Sequence, residues 1–211
     1  MHIEKSMSDI FFNYNEFKLN YIFSFLSFNL IQFFLNIFME INMANNFTAF
    51  THAFLSTILS LFIYIYKNNY NYLIIFSTGY FLYDIIFNIK YVKSPMNKIY
   101  IYHHLATIFY LHQEPITYRI IEILGVGELS NLSSYFVYYY LKKDNKKNYN
   151  NKKIYILKKI QFYSYSLIRF PIASYLLFDV LNNVDDIKPI IIMLPVYLMG
   201  IFWSYRLWLK L

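Results

Sequence analysis

The chain has 211 residues and no cysteine; 58% of it is hydrophobic, 23% aromatic and only 15% charged. A soluble domain is usually about 45–50% apolar and about a quarter charged, and without cysteine there is no disulfide framework or thiolate metal site. The formal net charge of +7 would suit a nucleic-acid partner, but the lysines lie in loops between apolar blocks. That distribution indicates a membrane protein with positive cytosolic loops and no nucleic acid.

Residues 1–18 carry acids, and no small-residue cleavage site follows the first apolar block. This stretch is expected to be an N-terminal tail rather than part of a cleavable signal, with a first membrane anchor over 19–41 and one membrane domain over 42–211. Seven apolar blocks, most near twenty residues long, each match the thickness of a hydrocarbon core of about 30 Å. They are Tyr21–Ile41, Phe47–Tyr66, Tyr72–Tyr91, Pro95–Leu111, Ile120–Leu141, Ile154–Phe178 and Pro189–Lys210. The fold class expected is therefore all-α, a polytopic transmembrane helical bundle of about seven helices around a central polar cavity. The fourth block, 95–111, is the shortest, and Ser94 followed by Pro95 reads as an N-cap with proline at the first helical position. KKDNKKNYNNKK (142–153) reads as a solvated basic loop.

Seven spans divide the cations unevenly. One side receives Lys5, Lys18, Lys67, Arg119 and Lys188; the other receives Lys90, Lys93, Lys98, eight lysines from Lys142 to Lys159, Arg206 and Lys210. The positive-inside rule makes the second side cytosolic, placing the N-terminus in the lumen and the C-terminus in the cytosol. The sequon Asn46-Phe47-Thr48 then falls on the cytosolic side and is expected to be unused.

Inside the spans, His52, Asp84, His103, His104, Glu128 and Arg169 stand out, because ionisable groups in a membrane usually face a bundle interior or a wet cavity. Helical spacing arranges them in stripes. Thr48, His52, Ser56 and Ser60 share one face of the second span, and Ser77, Tyr80, Asp84 and Asn88 one face of the third. Tyr100, His103, His104, Thr107 and Tyr110 share a broad face of the fourth; Glu128, Asn131 and Tyr135 follow in the fifth, and Gln161, Tyr165 and Arg169 in the sixth. The glycines of Gly125-Val126-Gly127 are expected to let a neighbouring helix approach. Asp84 and Arg169 suggest an ion pair, Arg119 and Glu122 an interfacial i,i+3 pair.

Two histidines and a carboxylate suit acyl transfer, with an imidazole accepting a proton or attacking a thioester while the carboxylate fixes tautomer and charge. Metal ligation is the weaker reading: adjacent histidines point about 100° apart on a helix, and the spacing of HExxH is absent. No metal is expected.

HHLAT (103–107), followed by GVGELSNLSSYFVYYY (125–140), resembles the signature region of the TLC domain family shared by TRAM, Lag1 and CLN8 proteins. NNFTAFTHAF and STGYFLYDII are similar to the family's earlier helices, and SLIRFPI and FWSYRLW to its later ones, so the resemblance covers residues 42–211. It implies a multi-pass protein of the endoplasmic reticulum or a related endomembrane that acts in lipid metabolism or homeostasis. The expected partners are the bilayer itself and a membrane lipid (a sphingoid base, ceramide or phospholipid), with a homodimer as a further partner. In ceramide synthases the paired histidines serve N-acylation of a sphingoid base by acyl-CoA. Carried over, His103, His104 and Glu128 become catalytic, with His52, Asp84, Thr107, Asn131 and Arg169 lining the substrate cavity and acyl-CoA as co-substrate. Those synthases show a His-Asp-x-x-Asp arrangement where this chain has Gly127, Glu128 and Asn131, which places it nearer the small TLC-domain proteins. The first expectation is thus a lipid binder or regulator, the alternative an N-acyltransferase, and the second alternative a small channel or transporter.

Overall fold

A computed structural model describes residues 7–66, 70–94, 96–112, 117–143, 152–183 and 187–211. Among them all regular secondary structure is helical, in seven helices: α1 (Met7–Phe38), α2 (Ile41–Tyr66), α3 (Asn71–Tyr91), α4 (Asn97–Leu111), α5 (Thr117–Lys143), α6 (Lys152–Asn183) and α7 (Ile187–Trp208). Three segments are long and apolar enough to cross a membrane by length and composition: Lys18–Phe38, Ile41–Tyr66 and Asn71–Tyr91.

Helix α1 begins at Met7, inside the stretch expected to be a tail, and ends before Ile41. The break falls at Met39 and Glu40, where the Glu40 carbonyl accepts the amides of Met43 and Ala44 and so starts α2. The fourth helix starts later than the Ser-Pro signal suggested. Met96 is its capping residue, without a side-chain cap, and Pro95 lies outside the described residues. The Asn97 amide takes over the fastening: it donates to the carbonyls of Asn88 (2.8 Å) and Val92 (3.0 Å), clamping the start of α4 to the end of α3. At fifteen residues, α4 is about 22 Å long. Most of the expected basic loop, 144–151, lies outside the described residues.

Helix contacts close a ring. α2 packs on α5, α5 on α6, α6 on α7, α7 on α4, α4 on α3, and α3 back on α2. α1 is not part of that circuit. It lies across α3 and α2 from outside, so six helices rather than seven surround the centre. The crossing of α1 over α3 needs a glycine: a Cβ on Gly79 would sit 2.8 Å from the Phe25 backbone nitrogen and run into Ser24. The Ser24 hydroxyl meanwhile donates to the Phe76 carbonyl at 3.1 Å. Further along α1, the buried Gln32 carbonyl oxygen accepts from Thr48 of α2 (3.1 Å) and Tyr83 of α3 (2.8 Å). Ser24, Phe28 and Gln32, four residues apart and all buried, form the face of α1 that meets α2 and α3. Asn46, the sequon residue, lies within α2 and donates to the Tyr135 carbonyl of α5.

The ring is polar inside and apolar outside. Every residue of the α2 stripe and of the α3 stripe is buried, whereas Phe23, Phe38, Leu61, Ile89, Leu167 and Ile191 are among many large apolar side chains facing outward. A soluble protein rarely exposes contiguous apolar surface on this scale, whereas a lipid-facing one does.

Candidate functional site

The interior divides into a packed half and a hollow half. In the packed half, between α2 and α3, the fully buried His52 ring stacks on Tyr80 (centroids 3.9 Å apart, planes 9° apart) and is flanked by Phe28, Phe76 and Phe81. Its Nε2 lies 3.0 Å from the Ser56 hydroxyl, which continues to Ser77 at 3.3 Å. Helical spacing explains this chain: His52 and Ser56 are one turn apart on α2, and Ser77 faces them from α3.

His104 also belongs to the packed half. Its Nε2–H donates to Asp84 Oδ2 at 2.8 Å, and Asn88 donates to that same oxygen at 2.7 Å. Asp84 is thereby committed to His104, and the ion pair with Arg169 expected from the sequence does not form. The reason is geometric. Asp84 points from α3 toward its neighbour α4, while Arg169 belongs to α6, which packs on α5 and α7.

The hollow half is a cavity of about 140 Å³ enclosed mainly by α4, α5, α6 and α7. Its polar lining is His103, Thr107, Glu128, Asn131 and Arg169; Phe81, Leu124, Phe170, Leu176 and Val196 represent the apolar remainder. Five sequence-derived site residues thus face one space. His52, Asp84 and His104 do not, which corrects the expectation that His52 and Asp84 line the cavity. The adjacent histidines diverge, as their 100° separation requires: His104 turns to Asp84, and His103 turns to the cavity and the edge of Trp203. The Nδ1 atom of His103 is buried without a partner among the described residues. The packed half connects to the cavity through Glu128, whose Oε1 lies 3.8 Å from His52 Nδ1.

Arg169 is held by neutral groups. Nε donates to Ser130 (2.7 Å), Nη1 to the Tyr165 hydroxyl (2.7 Å), and Nη2 to the Gly127 carbonyl (3.2 Å) and the Asn131 side-chain oxygen (3.0 Å). The guanidinium also lies over the Tyr165 ring at 4.4 Å. Asn131 uses its amide nitrogen toward Glu128 Oε2 at 3.5 Å. Ser130 went unrecognised in the sequence because a serine in an apolar helix usually bonds its own backbone. It does so here, donating to the Gly127 carbonyl, while accepting from Arg169.

The two glycines of Gly125-Val126-Gly127 have different tasks. A Cβ on Gly125 would meet the Ser60 Cβ at 2.7 Å, so this residue permits the close approach of α2. A Cβ on Gly127 would meet nothing within 4 Å, and the same holds for Gly200 of α7; both open onto the cavity. The contribution of α7, through Val196, Tyr197, Gly200 and Ile201, left no signal in the sequence, since apolar lining residues look the same as lipid-facing ones. Pro171 and Pro195 interrupt the hydrogen-bond ladders of α6 and α7 beside Phe170 and Val196, two of the lining residues; a proline supplies no amide proton to its turn.

At the far end of the ring, Arg119 pairs with Glu122 (2.6 Å), as the i,i+3 spacing predicts, and also with Asp179 of α6 (2.7 Å). No family model matches the chain, and neither the curated proteins nor the solved structures hold a match to it.

Proposed function

We propose that this is a multi-pass membrane protein with seven spans and a TLC-like ring, which binds a membrane lipid in its cavity and acts in lipid homeostasis. The observation carrying the reading is the cavity itself, with one polar wall formed by His103, Thr107, Glu128, Asn131 and Arg169 and an otherwise apolar lining. An amphiphile matches both surfaces: its headgroup meets the polar wall, and its tail meets leucine, phenylalanine and valine. The cavity is partly open at its lining, where Ile201 is 37% exposed, so a tail need not be contained in it entirely. The endoplasmic reticulum and a lumenal N-terminus complete the reading, on the resemblance and the charge distribution respectively.

Acyl transfer is the second reading, favoured by His103, which faces the cavity 25 residues before Glu128 in sequence and shares its wall. In that chemistry an amine nitrogen bonds to the acyl carbon of a thioester. The neutral imidazole of His103 accepts the amine proton and returns it to the departing thiolate, giving an amide and a free thiol.

The deciding experiment reconstitutes the protein in lipid and supplies labelled acyl-CoA with a long-chain base, in parallel with lipid analysis of cells expressing or lacking it. A shift in phospholipid composition with no amide product supports the binder. An amide that disappears in His103→Ala supports the transferase. Unchanged lipid composition together with no amide overturns both.

A further inference from the structure

We infer that the cavity selects a single-chain anionic amphiphile, with a carboxylate headgroup at Arg169. This inference rests on the lipid-binding reading and narrows it to one class of ligand. Its basis is the way the charge of Arg169 is left. Among the described residues no carboxylate pairs with it; Ser130, Tyr165, Asn131 and the Gly127 carbonyl are all neutral acceptors. These contacts use four of the five guanidinium N–H donors. The side chain also borders the cavity directly.

A guanidinium cannot lose its proton inside a protein, and a charge taken out of water is costly unless an opposite charge accompanies it. Asp84 is bonded to His104 and Asn88; Glu122 and Asp179 are bonded to Arg119. Glu128 shares the cavity wall and feels the charge of Arg169, but the two make no ion pair: the Asn131 amide stands between them, donating to Glu128 and accepting from Arg169. The position that would neutralise Arg169 is 131, which touches Nη2, and it holds an amide. The pairing anion is therefore left for the ligand to supply. One guanidinium N–H remains for the ligand, which suits a carboxylate better than a phosphate monoester with three acceptor oxygens to satisfy. A doubly charged head would also meet Glu128 in the same wall.

The test measures binding to the purified full chain in nanodiscs of neutral lipid, using palmitate, hexadecyl phosphate, methyl palmitate and sphingosine as probes. Palmitate is expected to bind at least about tenfold more tightly than the uncharged ester or the cationic base. Asn131→Asp, nearly the same shape, puts a carboxylate against Arg169 and is expected to weaken palmitate by about tenfold or more while leaving the ester unchanged. Equal binding of palmitate and methyl palmitate, or palmitate binding unaffected by Asn131→Asp, overturns the inference. Preference for hexadecyl phosphate overturns the carboxylate assignment. Preference for sphingosine overturns the inference but leaves the lipid-binding reading intact, whereas failure of every probe to bind overturns both.

Discussion

The Nε2–H of His104 on α4 donates to Asp84 Oδ2 on α3 at 2.8 Å, and this single buried contact fixes how two neighbouring histidines share the site. Removing one member of a buried pair strands the other, at a cost of about 3–5 kcal/mol. Asp84→Ala is therefore expected to lower stability by about 3 kcal/mol, because it leaves His104 without its acceptor and Asn88 with the backbone carbonyl of residue 84 alone. His103→Ala breaks no such bond and is expected to cost far less. Thermal unfolding of the two variants in detergent checks this; equal losses would contradict the division of roles.

The glycines offer a comparison within one protein. Gly79→Ala drives a methyl group against Ser24 and the Phe25 backbone, and is expected to cost about 1–3 kcal/mol through overpacking where α1 crosses α3. Gly127→Ala, in the open, is expected to leave stability unchanged or slightly raised, since alanine is the better helix former. Unfolding measurements on both variants decide it.

Gly200→Leu fills the cavity from α7 without meeting existing atoms at its Cβ. Palmitate binding is expected to fall by about tenfold, as roughly one to three kcal/mol of tail contact is lost, with the folded protein as stable as before. Undiminished binding would place the tail elsewhere.

Arg119 joins α5 to α6 through Asp179, but both side chains are only partly covered, at 34% and 22% exposure. A double-mutant cycle with Arg119→Ala and Asp179→Ala is expected to give a coupling under about 1 kcal/mol, weaker still in high salt.

Much of the site was legible because polar residues in apolar helices have few places to go. The four-residue spacing from Thr48 to Ser60 marked an inward face, and all four side chains are buried. Spacing along one helix carries no information about which helix faces it, so the pairing of Asp84 with His104 rather than Arg169 could not be read from it. The position of α1 outside the ring was hidden for a related reason. Its apolar residues suit lipid or protein equally, and only the face formed by Ser24, Phe28 and Gln32 separates the two environments. Glycine was ambiguous in the same way: Gly125 and Gly127 are two residues apart, yet one meets a serine and the other an empty space.

The ring also bears on how such a chain would be made. The three segments apolar enough to cross a membrane by themselves come first in the sequence, and α1, α2 and α3 already pack on one another. In the seven-span reading they form a platform at the translocon before the later helices emerge. α4, α5 and α6 carry His104, Glu128 and Arg169, and their polar groups find partners only on helices already in place or on each other. Their retention in the bilayer would then depend on assembly as much as on hydrophobicity, so a lesion at Asp84 would appear first as a failure of biogenesis, with the unpartnered helix slipping out or being degraded.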